Sequence, residues 1–408
     1  MVLTLGIFAA TYLAMALGRL PGFRVDRTGA ALLGAIGMLV FEKIGSDAAW
    51  ASISFPTMSL LFGLMIVSAS FSVSGFYDRV ATRAAALQLA PATLLAVMIA
   101  MSGIFSAILT NDVVVVAMVP LLVQLCQARG LNPVPFLLSF AFAANAGSAG
   151  TIIGSPQNMI VAEALNLSFL GFIKGAMLPA LLSLPVIWGV MVVLYRGRWT
   201  VPPTSPRVAA SPPVPFDKVE TIKGAIVTAL VVAAFCLSSW SRPLVALGAA
   251  AILLLNRRVA SSNVLKHVDG DLFILLGGLF VVNAAFATTG LPQQAMAELQ
   301  RWGVDPKDPL TLLLTIGVLS DIVGNNPAVL LVVPYLKSAD PELAGAAMAL
   351  GTGLASNIVV FGSLAGIIVV EEAGRCGVAI SAAEFSRAGV PVVLIGLVIA
   401  AAWLVLLA

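Results

Sequence analysis

Charged residues are scarce in this chain of 408 residues, which contains 22 Lys and Arg and 19 Asp and Glu. Together they make up 10% of the sequence, whereas 60% of it is hydrophobic. Soluble domains are about 25% charged, because polar groups must cover a surface that faces water. The composition therefore excludes a soluble enzyme and predicts an integral membrane protein that crosses the bilayer several times.

Histidine, cysteine and basic clusters are also scarce. The single histidine, His267, cannot form the paired-histidine motif of a metalloprotease, and Cys126, Cys236 and Cys376 show no CxxC spacing. The basic residues are scattered over short loops, so the net charge of +3 does not indicate a nucleic-acid partner. We therefore expect no enzyme, no cofactor and no metal centre, and we expect the lipid bilayer as a partner.

Apolar runs between polar breaks predict an all-α membrane protein with ten crossings. The crossings lie near residues 2–17, 29–42, 55–76, 133–165, 168–195, 221–239, 243–256, 271–290, 343–370 and 388–408. Two further segments, 91–127 and 309–336, each consist of two apolar arms that meet at a polar point. The polar points are Thr110-Asn111-Asp112 in the first segment and Gly324-Asn325-Asn326-Pro327 in the second. Polar backbone at that depth is tolerated only inside protein or against a water-filled cavity. We therefore interpret both segments as re-entrant hairpins.

The basic residues predict the orientation of the chain. With the N-terminus outside, 16 of the 22 basic residues fall in inside loops, as the positive-inside rule favours. Residues 196–220 contain six prolines, which predict a solvated linker on the cytoplasmic side. We expect the protein in a bacterial cytoplasmic (inner) membrane.

The sequences on either side of this linker resemble each other. Residues 60–75 align with residues 275–290, and half of the 16 aligned positions are identical. We predict a duplication in which residues 1–195 and 221–408 each form five crossings and one hairpin. Because five is odd, the second repeat enters the membrane inverted, with broken helices near the midplane, and this architecture is typical of secondary transporters.

Four polar clusters, two in each half, interrupt otherwise apolar stretches. Two are the hairpin tips, and two are Gly- and Ser-rich points at 145–158 and 356–363, where a helix should break. A break exposes carbonyls that can bind a cation and helix N-termini that can hold an oxygen-rich solute, although small polar residues also simply join helices. The predicted solute-binding residues are Asn111, Asp112, Asn145, Ser148, Ser155, Asn325, Asn326, Asn357 and Ser363.

Asp112 is the strongest single candidate, because an ionisable group inside the membrane is costly and by default functional. We expect it to carry a proton, and its partner in the second repeat is Asn326. We expect Asp321 near a loop or in a local pair, and Glu163 in a solvated position near the end of a span. The four clusters contain no Lys or Arg, which argues against a permanently anionic solute.

These motifs resemble those of the ion transporter superfamily, which includes arsenite and silicic acid efflux permeases and citrate-transporter-like anion permeases. TNDVVVVAMVP resembles the first tip of the arsenite and silicic acid branch, GNNPAVLLVVP resembles its second tip, and GSPQN resembles the signature of the citrate-transporter-like permeases. The resemblance implies that Asn111 and Asn325 face a central solute site. It also implies that Ser106, Thr110 and Ser320 help to form cation sites and that Gly154 and Gly362 lie near the helix breaks. Together with Asp112, these are the predicted ion-coupling residues.

The superfamily's dicarboxylate symporters carry Ser-Asn-Thr at both tips, whereas this chain has Thr-Asn-Asp and Gly-Asn-Asn. That departure argues against recognition of two carboxylates. We expect a secondary transporter working by alternating access, which exports arsenite or silicic acid in exchange for protons. Two alternatives stay open, sodium-coupled uptake of a dicarboxylate, sulfate or another anion, and sodium/proton antiport. The coupling ion is therefore H⁺ or Na⁺, and a homodimer is one alternative for the oligomeric state.

Overall fold

The computed structural model describes residues 1–200, 214–305, 307–336 and 340–408 of the chain. These residues form 20 α-helices and two short 3₁₀ helices, and within them there is no strand beyond two isolated β-bridges. Most of the predicted linker, residues 201–213, lies outside the described residues. The helices up to the linker are α1 Val2–Leu17, α2 Arg27–Val40, α3 Ser46–Ser52, α4 Phe55–Val73, α5 Phe76–Ala86, α6 Pro91–Ile108, α7 Asn111–Ala128, α8 Pro133–Ala149, α9 Pro156–Ala164 and α10 Phe169–Leu194.

Ten helices also follow the linker, in a similar order of long and short elements. They are α11 Lys218–Leu237, α12 Arg242–Leu254, α13 Ser261–Leu265, α14 Gly270–Ala287, α15 Leu291–Arg301, α16 Pro309–Val323, α17 Asn325–Val332, α18 Pro341–Ala355, α19 Leu364–Arg375 and α20 Ala382–Leu407. The 3₁₀ helices are Val333–Tyr335 and Val360–Gly362. The all-helical fold is the one that the sequence predicts.

Seven of the described helices are long and apolar enough to cross a membrane, and they are α4, α6, α7, α10, α11, α14 and α20. Their ends follow the chemistry of helix caps. Ser168 and Ser381 begin the two 26-residue helices α10 and α20, and each hydroxyl accepts a hydrogen bond from a backbone N–H three residues on. The amphipathic helices α5 and α15 were not anticipated, because they are short and charged and the sequence reads there as loop.

The two predicted hairpins are helix–turn–helix pairs, α6–α7 and α16–α17. α6 and α7 have 18 residues each, whereas α17 has only 8. The first turn is enclosed in protein, since Asn111 is 4% exposed and Asp112 is 8% exposed. Whether either pair re-enters the membrane or crosses it stays a prediction.

The predicted crossings 133–165 and 343–370 are each broken, as their Gly, Ser and Pro content indicates. α8 ends at Ala149 and α9 begins at Pro156, and α18 ends at Ala355 and α19 begins at Leu364. We call residues 150–155 the first break and residues 356–363 the second break. Breaks leave backbone N–H and C=O groups without their helical partners, so these groups are free to bind something else.

The two halves pack against each other through matched helix pairs. α4 packs on α12 and α14 packs on α2, while α10 packs on α20. Within each half, the first hairpin arm packs on the helix before the break, α6 on α8 and α16 on α18. The division of the chain at the linker and the inverted orientation of the second half stay predictions.

An ion pair joins the end of α9 to the start of α12. Arg242 Nη2 lies 3.0 Å from Glu163 Oε1, and both side chains are 13% exposed. The guanidinium also donates hydrogen bonds to the carbonyls of Leu167 and Ala162, at the C-terminal end of α9. The expectation of a solvated Glu163 is therefore wrong, because Arg242 comes from the other half of the chain, where the local sequence gives no sign of it.

We expect Arg242→Gln to lower the free energy of unfolding by about 2 kcal/mol, because it leaves a largely buried carboxylate unpaired. Thermal unfolding of the purified protein in detergent measures the loss. The double variant Arg242→Gln with Glu163→Gln should recover part of it, since no unpaired charge then remains. Equal instability of the single and double variants would contradict this account.

Candidate functional site

A cavity of about 430 Å³ lies where the two hairpin turns, the second break and the start of α9 meet. Six of the predicted site residues line it, namely Asn111, Asp112, Asn325, Asn326, Gly362 and Ser363. The first turns of six helices, α2, α7, α9, α14, α17 and α19, contribute to its wall. Helix N-termini carry unsatisfied N–H groups and partial positive charge, so this wall favours oxygen atoms of a bound solute.

The first hairpin turn is held by backbone hydrogen bonds to its neighbours. The N–H of Asn111 donates to the carbonyl of Gly154 at 2.9 Å, and the N–H of Thr110 donates to Ser68 Oγ at 2.8 Å. The turn is thus fixed to the first break and to α4. Side-chain oxygens at and near the turn have no hydrogen-bond partner among the described residues. They are Asn111 Oδ1, Thr110 Oγ1 and, in the last turn of α6, Ser106 Oγ, and all three are buried.

Asn158 ties the two ends of the first break together. Its Nδ2 donates to the carbonyls of Ser148 and Thr151, at 2.9 and 2.8 Å. Thr151 Oγ1 donates to the carbonyl of Ala107 on α6 at 2.6 Å and accepts from the N–H of Gly154 at 3.1 Å. The break is therefore a rigid loop locked onto the first hairpin. Asn158 is a positioning residue that the sequence-based set omits.

The second break is connected to the first half by an amide. Asn145 Nδ2, on α8, donates to Asn357 Oδ1 and to Ser363 Oγ, each at 2.9 Å. Ser363 Oγ also accepts from the N–H of Gly366 and so caps α19. Asn145 and Asn357 are fully enclosed, and they lie behind Ser363 rather than on the cavity wall.

The second hairpin turn depends on Gly324, whose φ of 91° and ψ of 157° lie in a region that only glycine adopts readily. This conformation ends α16 and starts α17 within one residue. Asn325 and Asn326 follow directly, and their Oδ1 atoms are buried without a partner among the described residues. The glycine thereby brings two amide groups to the cavity wall.

Eight predicted site residues form a buried layer behind the cavity instead of lining it. Ser148 and Ser320 bond to carbonyls of their own helices, and Ser155 Oγ has no partner in the described part of the chain. The roles assigned to these residues stay predictions. The eight are Ser106, Thr110, Asn145, Ser148, Gly154, Ser155, Ser320 and Asn357.

The Asp112 carboxyl group is buried at the start of α7 and makes no ion pair or hydrogen bond with another described side chain. Its neighbours on the cavity wall include a further carboxyl group, that of Asp269. An unpaired carboxylate in such a place is unfavourable, so its charge must be neutralised by a proton or another cation.

Asp321 lies near a loop, as expected, because it is close to the end of α16 and beside the second break, but it is not in a local pair. Its Oδ1 is buried next to Gly362 and has no hydrogen-bond partner in the described residues. The matching position in the first half is Ala107, so the sequence repeat gave no sign of a role. The second break thus has its own unpaired carboxyl group, although Asp321 does not line the cavity.

Arg27 lines the cavity and is a basic residue that the sequence-based set omits. Its Nε donates to the carbonyl of Met15 at 2.9 Å, and its Nη2 donates to the carbonyl of Phe361 in the second break at 3.5 Å. The absence of Lys and Arg holds within the four clusters but does not hold for the cavity, because the fold brings the start of α2 to it. The signal in the sequence was the charged pair Asp26-Arg27 at the beginning of a span.

Carboxyl groups nevertheless outnumber the guanidinium on the cavity wall. Two of them, Asp26 and Asp269, accept hydrogen bonds from the first-turn N–H groups of α2 and α14 and are partly compensated there. The wall therefore combines an excess of acidic side chains with six helix N-termini. The five carboxyl-bearing residues are Asp26, Asp112, Asp269, Asp271 and Glu371.

Comparison with known proteins gives concordant results. A family model described as citrate transporter matches residues 12–353. An uncharacterized transporter from Synechocystis is 29% identical over 98% of this chain and 97% of its own length. The silicon efflux transporter LSI3 of Oryza sativa subsp. japonica is 36% identical, over 40% of this chain and 33% of its own length. The crystal structure of the YdaH transporter from Alcanivorax borkumensis covers 99% of this chain and 96% of its own with a TM-score of 0.58 and 15% identity, which shows a shared fold.

Proposed function

We propose that this chain, which belongs to the citrate transporter family and is an integral membrane transporter, exports a small neutral hydroxide in exchange for protons. Silicic acid and arsenous acid are examples of such a solute. The proposal concerns the solute, its direction and the coupling ion. A silicon efflux transporter among the relatives supports the class of solute.

One observation carries the choice of a neutral solute. The Oδ1 atoms of Asn111, Asn325 and Asn326 are buried hydrogen-bond acceptors without donors in the described part of the chain. Each unmade hydrogen bond of this kind costs about 1–3 kcal/mol, so a ligand that supplies donors is favoured. A neutral hydroxide supplies O–H donors to these oxygens and oxygen acceptors to the helix N-termini. A carboxylate or sulfate group supplies acceptors only.

Asp112 supports proton exchange. When the carboxyl group is ionised, both oxygens can accept hydrogen bonds from solute hydroxyls, and when it is protonated one of them becomes an O–H donor and the acceptor strength falls. Solute and proton then compete for one group, which is the requirement for antiport. The excess of carboxyl groups on the wall further disfavours a permanently anionic solute.

Flux into proteoliposomes tests the proposal. Silicic acid or arsenous acid should accumulate in the lumen when the lumen is more acidic than the medium, and a protonophore should abolish the accumulation. A sodium gradient without a pH gradient should have no effect. Accumulation driven by sodium alone would contradict proton exchange, and citrate transport without transport of either hydroxide would contradict the proposed solute.

A second candidate, sodium-coupled symport of an anion, is favoured by Arg27 and the six helix N-termini around the cavity. Arg27 can offer its guanidinium to a carboxylate, and Ser106 and Thr110 offer unpartnered hydroxyl oxygens behind the first turn. The family name supports this alternative as well. The two candidates differ in whether solute binding requires the positive charge of Arg27.

We expect Arg27→Gln to change the dissociation constant of silicic acid by less than about threefold, because a neutral solute loses little when a charged donor becomes a neutral one. Binding to purified protein measures this. The matched control is Arg24→Gln, since Arg24 is an exposed residue in the loop just before α2. If the protein instead binds citrate, and Arg27→Gln weakens that binding by about tenfold or more, the anion symport candidate is the correct one.

A further inference from the structure

A second cavity, of about 500 Å³, adjoins the first and is walled by α4, α5, α7, α19 and the loop before α14. Much of its lining is apolar, including Met65, Val113, Ala117 and Ile368. Asp112 is the predicted site residue on its wall, and Asp112, Asp269 and Leu364 line the first cavity as well.

Two hydroxyl groups on this wall have no hydrogen-bond partner among the described residues. They are Ser72 Oγ and Tyr77 Oη, and both atoms are buried. A cavity of this size has room for several water molecules, and water needs polar partners such as these to stay in an otherwise apolar space. The two hydroxyls therefore indicate a hydrated cavity.

The charged and titratable groups on the wall are mostly acidic. Asp78, Asp269, Lys266 and His267 all line the cavity, and the exposed His267 bonds through Nδ1 to the carbonyl of Asn263. With Asp112 this gives three carboxyl groups against one lysine and the only histidine of the chain. Such a balance attracts small cations.

Asp112 and Asp269 line both cavities, so the two spaces meet at this pair of carboxyl groups. We propose that the second cavity is the aqueous access route by which the coupling cation, a proton or a sodium ion, reaches Asp112 separately from the solute. The proposal rests on the proposed function, in which Asp112 binds that cation. Separate access lets the cation reach Asp112 and displace a solute that occupies the first cavity.

Thiol accessibility tests the route without any transport. In a protein whose Cys126, Cys236 and Cys376 are replaced by Ala, the thiol of Asp112→Cys is labelled with a small cationic methanethiosulfonate. Ala117→Trp, which narrows only the second cavity, should slow this labelling by about tenfold, whereas Leu275→Trp, which narrows only the first, should change it by less than about twofold. The reverse pattern would overturn the proposal.

A second pair of measurements uses a variant that keeps Asp112 and leaves the volume of the cavity nearly unchanged. Tyr77→Phe combined with Ser72→Ala removes both unpartnered hydroxyls, and we expect it to slow gradient-driven silicic acid flux by about tenfold while leaving silicic acid binding within about twofold. Parallel runs with a pH gradient and with a sodium gradient identify the cation. Unchanged flux would contradict the route. Absence of flux in the unmodified protein under both gradients would instead contradict the proposed function, and the labelling experiment would still decide the route.

Discussion

Asp112→Asn is expected to reduce gradient-driven solute flux to the background of empty liposomes and to leave the protein folded. Asn keeps the size of the side chain but can neither release a proton nor carry the charge that attracts a cation. The carboxyl group has no partner among the described residues, so its replacement by a neutral amide breaks no ion pair. We therefore expect a thermal unfolding temperature that is unchanged or higher, because an unpaired buried charge is unfavourable.

Asp271→Asn is the matched control for this prediction. Asp271 also lines the first cavity, but its side chain is exposed, so its charge is solvated and is not needed for coupling. Its replacement should leave the flux within about twofold of the unmodified protein. Equal loss in both variants would indicate that the general charge of the cavity matters, and undiminished flux in Asp112→Asn would remove Asp112 from the coupling mechanism.

Exchange of solute for solute separates two roles of Asp112. If the residue only carries the coupling ion, Asp112→Asn should still exchange labelled for unlabelled silicic acid across the membrane while it fails to respond to a pH gradient. If the carboxylate is also an essential acceptor for the solute, exchange should fail as well. Either result retains Asp112 in the site, and the comparison assigns its role.

The sequence predicted the parts of the site that interrupt apolar stretches. Asn111, Asp112, Asn325 and Asn326 stand out because polar residues inside a span must be compensated by protein, water or a ligand. The two breaks stand out for the same reason, since Gly, Ser and Pro are unfavourable in the middle of a helix. These signals are local, so a single sequence suffices to see them.

Long-range partners could not be predicted in this way. Arg27 reaches the cavity because α2 packs near the second break, and Asn145 bonds to Asn357 across the two halves. The ion pair between Arg242 and Glu163 also joins the two halves. Nothing in the local sequence of these residues encodes such contacts, which follow from how the halves pack. The same limit applies to the second cavity, whose wall combines residues from segments that lie far apart in the sequence.

The tight packing of the first break leads to the second large prediction, for Gly154→Ala. A Cβ atom built on Gly154 would lie 2.5 Å from Ser148 Cα and 2.6 Å from the carbonyl oxygens of Ser106 and Ser148. All three are backbone atoms, which cannot move aside as the end of a flexible side chain can. The break must therefore shift, and with it the hydrogen bond from the N–H of Asn111 to the carbonyl of Gly154 that positions the first hairpin turn.

We expect Gly154→Ala to lower the free energy of unfolding by about 3 kcal/mol, since overpacking in a dense interior typically costs 1–3 kcal/mol and backbone contacts relax least. Solute flux should be lost even at temperatures where the variant is still folded, because the turn that holds Asn111 and Asp112 moves. Thermal unfolding in detergent and flux in proteoliposomes measure the two effects. Gly189→Ala in α10, where a Cβ would meet nothing within 4 Å, should change neither. A Gly154→Ala protein that is fully stable and active would mean that the break is loose, and a site assembled from its contacts with the hairpin turn would then be untenable.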